Sequence, residues 1–453
     1  MDRTLNNIRT ESLYRKLIRI ALPISVQGVI SATLGLVDNI MVGALGETAL
    51  AAVGIALQVF FVHYLILFGF TSGCATFVAQ FFGADDEPNI RKTVGFAMTA
   101  AMAVGLVFFV AVTVFPEQII RFYSNDKAII PDAINYMRIG SITMIFLAIT
   151  IPFESALKAT QQTKIPLVAS AIAFSMNTLL NYIFIFGKFG LPEMGVSGAA
   201  LATVFSRFIE MTIIIMAIRR GNSLKGKLTD YFGWSKDFVK RVMRNARVTT
   251  MNELLWSLGQ TVYVSAYARI GITAYAAYQA ATNINSIFYF AAFSIGDAAL
   301  ILIGQYLGEG KLSESYDLAK KLLKISFVVG ILAGLLVLSS LPVLKLYSFT
   351  PLGLSYGRKL LMIFAGTMVM NLLNSTLVVG VLRAGGDTFY AMVAECSSVW
   401  FIGVPIAFIA ALWLQVPIYI AVLMMQLSEI FKLCLLIYRF ISKKWIKNVI
   451  EGL

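Results

Sequence analysis

LIRIALPISVQGVISATLGLVDNIMVGALG, Leu17–Gly46, is the stretch whose reading decides the fold. Between Ile20 and Leu45 its one charged residue is Asp38. A helix of that length, rising about 1.5 Å per residue, crosses the ~30 Å hydrocarbon core of a bilayer. A carboxylate at lipid depth costs several kcal/mol unless it faces water, takes a proton or holds a cation, which makes Asp38 the first functional candidate. The plainer role is that of a structural hydrogen-bond partner near the helix end.

Outward from that helix the composition is of one kind. Hydrophobic residues make up 58% of the 453-residue chain and charged residues 13%, about half the charged share of a soluble domain, so the expected fold is an all-α polytopic membrane protein. A net charge of +13 does not point to nucleic acid, because the basic residues lie between apolar runs and at the termini rather than in an aromatic-interleaved stripe. Cys74, Cys396 and Cys434 are scattered in apolar stretches, with no disulfide framework or Cys/His metal spacing. The N-terminal segment is polar for too long, and the apolar run after it is too long, for a cleaved signal peptide.

Eleven further spans are predicted near 49–82, 93–114, 134–157, 165–187, 196–218, 246–268, 274–307, 325–345, 360–382, 389–413 and 417–440. Placing both termini in the cytoplasm puts 28 of the 37 lysines and arginines on inner segments, as the positive-inside rule demands. The longest polar stretch, residues 219–245, reads as a basic cytoplasmic linker with amphipathic character. It separates an N-lobe, residues 1–218 with helices 1–6, from a C-lobe, residues 246–453 with helices 7–12.

The two halves are related. A shift of 225 residues superposes Gly46, Ala49, Ala51, Ala52 and Ala56 on Gly271, Ala274, Ala276, Ala277 and Ala281, and Phe68, Gln80 and Gly83 on Phe293, Gln305 and Gly308. The same shift lays LKATQQTKIPLVA (157–169) on LRAGGDTFYAMVA (382–394), with Lys158 against Arg383. Six helices per half is an even number, so the repeats are parallel about an axis along the membrane normal, an arrangement suited to a transporter that rocks two lobes.

VDNIMVGALG with AAVG and AQFFG in the first two helices, the loop LRAGGDT, and NTLLNYIFIFGKFGLPEMGVSGAALAT across helices five and six together resemble the multidrug and toxic compound extrusion (MATE) family, of bacterial type, over nearly the whole chain. The resemblance implies a secondary antiporter that exports organic cations or other amphipathic compounds in exchange for Na⁺ or H⁺, with a V-shaped cavity between the lobes and no cofactor beyond the coupling ion. It implies a role for Asp38 with helix-five and helix-six partners, which here are Asn177, Asn181 and Thr203. Some relatives carry an aspartate at the position of Asn181. With a single carboxylate left, one monovalent charge neutralises the cluster, either a proton or a Na⁺ ion at Asp38, Asn177 and Asn181. Glu253 matches a seventh-helix glutamate that belongs to a second cation site in some relatives, but the tenth-helix aspartate that goes with it is replaced by Asn371 and Asn374.

Other residues carry weaker signals. Pro23 bends the first helix or sits in its first turn. Arg207 with Glu210, and Glu429 with Lys432, are spaced three residues apart, as intrahelical ion pairs that are structural or gate the pathway. Asp297 and Glu395 fall near inner helix ends, where water is available. His63, the one histidine, reads as a packing residue. No P-loop, HExxH or nucleophile elbow suggests an enzyme. The alternatives are a flippase for a lipid-linked precursor, which needs a cationic cavity, and a membrane-embedded transferase, which needs a second catalytic carboxylate or histidine. The expected setting is a monomer in a prokaryotic inner membrane, in contact with the bilayer and small amphipathic or cationic substrates.

Overall fold

The computed structural model describes residues 12–453 except Asn125 and Ser348; residues 1–11 of the expected N-lobe lie outside the described residues. The chain is helical, with no strand among the described residues. Among the described residues its twelve long helices are α1 (Leu13–Gly43), α2 (Glu47–Gly83), α3 (Glu87–Val114), α4 (Ile142–Ala159), α5 (Lys164–Phe186), α6 (Gly195–Arg219), α7 (Lys236–Ala268), α8 (Ile272–Gly308), α9 (Leu312–Ser339), α10 (Pro351–Leu382), α11 (Thr388–Trp413) and α12 (Ile418–Ile441), and all but the more polar α7 are long and apolar enough to cross a membrane. Two short helices, Pro116–Tyr123 and Ile130–Gly140, lead into α4.

Several helices start well before the apolar runs do. α7 begins at Lys236 instead of 246, α9 at Leu312 instead of 325, and α10 at Pro351 instead of 360. Hydropathy marks only the part of a helix that lies in lipid. The polar turns that precede it, such as Ser313–Lys321 in α9, keep the same backbone hydrogen bonds in water. Pro23 lies well inside α1, which is continuous from Leu13 to Gly43, so it is not a first-turn proline.

The repeat is visible in the backbone. Four residues with positive φ in the first half have a counterpart 225 positions on: Gly46 (113°) and Gly271 (144°), Asp85 (56°) and Gly310 (76°), Gln161 (60°) and Gly386 (68°), Gly190 (84°) and Gln415 (48°). Left-handed backbone is costly for residues other than glycine. The same four turns are therefore built in both halves, even where only one half supplies the glycine. The π-helical turns Thr376–Leu382, Ser398–Gly403 and Ile409–Trp413, in α10 and α11, have no counterpart among the described residues of the first half.

Helix contacts divide the chain into two compact units, one of Val26–Val78 and Asp86–Ala246, the other of Arg247–Leu453 with the segments ending at Ser25 and spanning Ala79–Asp85. In the first, Ala52, Ala56, Ala133 and Ala200 are fully buried among Val42, Val112, Ile120, Met137 and Met144. In the second, Ala277 and Ala281, the repeat counterparts of Ala52 and Ala56, are buried among Leu344, Leu360, Leu361 and Leu372. Small residues let helices approach closely where lipid gives no hydrophobic drive to associate.

The residues between α6 and α7 dock on the start of α3. Trp234 donates to the Lys92 carbonyl at 2.9 Å, Arg91 donates to the Ser223 and Lys225 carbonyls, and a Cβ on Gly95 would meet the Tyr231 carbonyl at 1.9 Å. Tyr231 donates to the Leu224 carbonyl, and burial pushes its hydroxyl up to about 12.

Within the second unit, the last turns of α2 cross α8 with backbone against backbone. A Cβ on Gly83 would lie 2.1 Å from the Gln305 carbonyl, and one on Gly308 1.9 Å from the Gln80 carbonyl, a reciprocal contact between repeat-related pairs. The Gln80 side chain donates to the carbonyls of Ala384 (2.8 Å) and Lys447 (3.2 Å) and accepts from the Val449 amide (2.8 Å). Trp445 is fully buried with its carbonyl against Gly385, and Lys447 lies 3.6 Å from Asp387, which also pairs with Arg439 of α12 at 2.5 Å, so the segment after α12 is packed against the α10–α11 loop.

His63 is fully buried beside Phe108, and neither ring nitrogen has a hydrogen-bond partner. An unpaired buried polar group costs about 1–3 kcal/mol. His63→Leu is expected to raise the unfolding midpoint in detergent and leave transport intact; a lower midpoint means the imidazole has a partner.

Candidate functional site

α1, α5 and α6 bring four of the expected residues together in the first unit. Asn181 donates its amide to the Asp38 carboxylate at 2.6 Å and to the Asn177 carbonyl oxygen at 3.0 Å. The Asn177 amide in turn approaches the hydroxyls of Thr203 and Ser206, at 3.5 Å each. Asn177 and Asn181, four residues apart, share one face of α5 and are both buried to 1% exposure, whereas Asp38 is only partly buried. Tyr136, from the helix Ile130–Gly140, interacts with both Asp38 and the Thr203 hydroxyl.

The charge on Asp38 is answered only in part. One amide donor is a modest return for a desolvated carboxylate, and hydrogen bonds between membrane helices contribute about 1–2 kcal/mol at best. The Asn181 carbonyl oxygen is buried and accepts no hydrogen bond. A carboxylate beside an unfilled carbonyl oxygen is the donor set that a small hard cation or a proton completes.

Pro23 lies on the same helix as Asp38, two residues before the boundary between the units at Ser25. Arg207 and Glu210 form an ion pair at 2.7 Å in which Glu210 is buried. Glu210 also accepts from Ser170 at 2.8 Å, and Gln27 joins Ser170 (3.0 Å) to Glu154 on α4 (3.2 Å).

Glu253 stands apart from this group, in the second unit, where Arg383 donates to it at 2.6 Å. The carboxylate of Glu253 is thus already met by a guanidinium. Glu429 and Lys432 pair at 2.9 Å, Asn374 donates to Glu429 at 2.8 Å, and Lys432 lies 3.8 Å from Glu395, which accepts from Asn252 at 2.8 Å. Glu395 thus sits in an internal polar cluster, and Asp297 contributes charge at Glu253. Among the described residues no three His, Cys, Asp or Glu side chains gather as a metal site.

Gln27, Tyr136, Glu154, Ser170 and Ser206 are members of the polar network that the sequence did not single out. Part of the signal was present. The shift of 225 sets Gln27, Ser170 and Arg207 against Asn252, Glu395 and Lys432, and the Gln27–Ser170 hydrogen bond of one unit is matched by Asn252–Glu395 in the other. Glu154 has no such echo, since its counterpart is Val379.

Comparison with known proteins places these residues in context. The profile of the MatE family matches residues 23–183 and again 249–409, an offset close to the one found within the sequence. The chain is 26% identical over 444 residues to "Probable multidrug resistance protein NorM" of Thermotoga maritima, covering 96% of this chain and 94% of that protein. It is 26% identical over 458 residues to "Probable multidrug resistance protein YoeA" of Bacillus subtilis, covering 98% and 96%. Its fold is similar to that of a crystal structure of MATE in the straight conformation, with a TM-score of 0.84, 18% identity, and coverage of 95% and 96% of the two chains.

Proposed function

The chain belongs to the MatE family, and we propose that it is a secondary antiporter that exports organic cations or other amphipathic compounds in exchange for Na⁺ or H⁺. The observation that supports this most is the Asp38–Asn181–Asn177 cluster, a partly exposed intramembrane carboxylate with one amide donor and an unfilled carbonyl oxygen beside it. Loading Asp38 with a cation from outside and releasing it inside alters the charge balance of the first unit. The difference in cation affinity between the two arrangements of the lobes drives the cycle. Pro23, which removes one backbone hydrogen bond from α1, is the point at which that helix bends in response.

A flippase for a lipid-linked precursor would need unpaired cations for a pyrophosphate. Arg207, Arg383 and Lys432 are each held by a glutamate, which favours cationic cargo instead. The setting proposed is a bacterial inner membrane, with both termini cytoplasmic and the chain acting as a monomer.

Proteoliposomes loaded with a fluorescent organic cation test this directly, with Na⁺ and pH gradients imposed separately. Efflux above the leak is expected under one gradient and not the other, which identifies the ion. Efflux under neither overturns the proposal.

A further inference from the structure

Six buried or partly buried carboxylates on the membrane helices fall into two groups by partner. Glu253, Glu395 and Glu429 each have a basic side chain within ion-pair distance, at 2.6 Å from Arg383, 3.8 Å from Lys432 and 2.9 Å from Lys432, and Glu210 has Arg207 at 2.7 Å. Asp38 and Glu154 have none in that range among the described residues. Each is met instead by a single carboxamide, Asn181 at 2.6 Å and Gln27 at 3.2 Å. In both cases the carboxamide is buried and its own carbonyl oxygen accepts no hydrogen bond.

The same construction thus occurs twice in the first unit. We propose that Glu154, with Gln27 and Ser170, is a second site for a monovalent coupling cation, loaded in the same cycle as Asp38. The proposal rests on the antiport reading above and adds to it a number of ions.

Three observations support it. Gln27 is 7% exposed and directed at Glu154, so its unfilled oxygen points to a ligand rather than to solvent. The charges that face Glu154 are Lys158 one turn along α4 and Glu210 and Arg207 on α6, while α1 and α5 present only the neutral Gln27 and Ser170. Arg207 is already paired with Glu210, so it answers the charges of Glu154 and Asp38 only in part. Arg207 and Lys158 thus stand against three carboxylates, Asp38, Glu154 and Glu210, and leave the cluster net negative, a charge that loading with monovalent cations offsets.

A route between the sites exists within the network. Ser170 accepts from Gln27 and donates to Glu210, whose other oxygen holds Arg207, and Arg207 also acts on both Asp38 and Glu154. Filling one site lowers the negative potential at Arg207 and so couples to the other. With two cations entering for each singly charged substrate leaving, transport carries net charge.

The test is the coupling stoichiometry of the full chain in proteoliposomes, read from the membrane potential at which substrate flux reverses under a fixed Na⁺ or fixed H⁺ gradient. About two cations per cycle are expected for wild type and about one for Glu154→Gln. The gradient that sets the reversal potential tells a proton from a sodium ion. A Glu154→Gln protein that still couples about two cations overturns the second site and leaves the Asp38 reading standing. Loss of one cation in Glu154→Gln together with unaltered coupling in Asp38→Asn overturns the Asp38 reading and leaves this one. Should Glu154→Gln fail to fold, equilibrium cation binding by wild type and Asp38→Asn decides: about two and one per chain support the proposal, about one and none overturn it.

Discussion

Asp38→Asn is expected to remove gradient-driven export while leaving a folded protein that still binds its substrate. The substitution keeps the shape of the side chain and the contact with the Asn181 amide, 2.6 Å away in the native protein, but takes away the charge that a cation neutralises. Coupling free energies of about 1–3 kcal/mol correspond to about 5–150-fold, and a loss in that range is the effect to look for in efflux under the productive gradient. The unfolding midpoint is expected to stay level or rise, because a carboxylate with one donor is expensive at that depth. Efflux within about twofold of wild type would mean that Asp38 is a structural hydrogen-bond partner.

The largest stability effect is expected at Arg383→Met. Arg383 is 2% exposed and its guanidinium holds Glu253 at 2.6 Å, so its removal leaves an uncompensated carboxylate inside the second unit. Breaking a buried pair from one side costs about 3–5 kcal/mol, whereas replacing both partners with apolar groups is often close to neutral. Glu253→Leu combined with Arg383→Met is therefore expected to be more stable than either single variant, and a double-mutant cycle in detergent measures the coupling between them. Additive losses would show that the two residues act independently. Activity separates structure from transport at this pair: a double variant that folds and exports shows that Glu253 is not a coupling residue.

Much of the fold was legible because a membrane imposes strong rules. Twelve apolar segments, a single ungapped repeat offset and the charge of Asp38 could all be read along the chain. Helix ends were misjudged where charged turns continue beyond lipid, as in α7 and α9, since hydropathy reports the surroundings rather than the backbone. Asp38 stood out by its charge, and Asn177, Asn181 and Thr203 by the family resemblance; the structure brings these four side chains together. Glu154 did not stand out, because a lone carboxylate one turn from Lys158 looks like a helix end near water. Only the three-dimensional arrangement brings Gln27 to it across 127 residues of chain. Glu253 shows the opposite case, a residue with a family signal whose partner, Arg383, lies 130 positions away.

The position of Gln80 has a consequence for how the protein is made. Its side chain is satisfied by Ala384, Lys447 and Val449, which lie 304, 367 and 369 residues downstream. At about 5–20 residues per second, roughly 15–75 s of synthesis pass between the emergence of this glutamine and that of its partners. Until then the end of α2 carries an unanswered amide and a bare glycine surface. Assembly of the second unit thus waits until the segment around Val449 has been made.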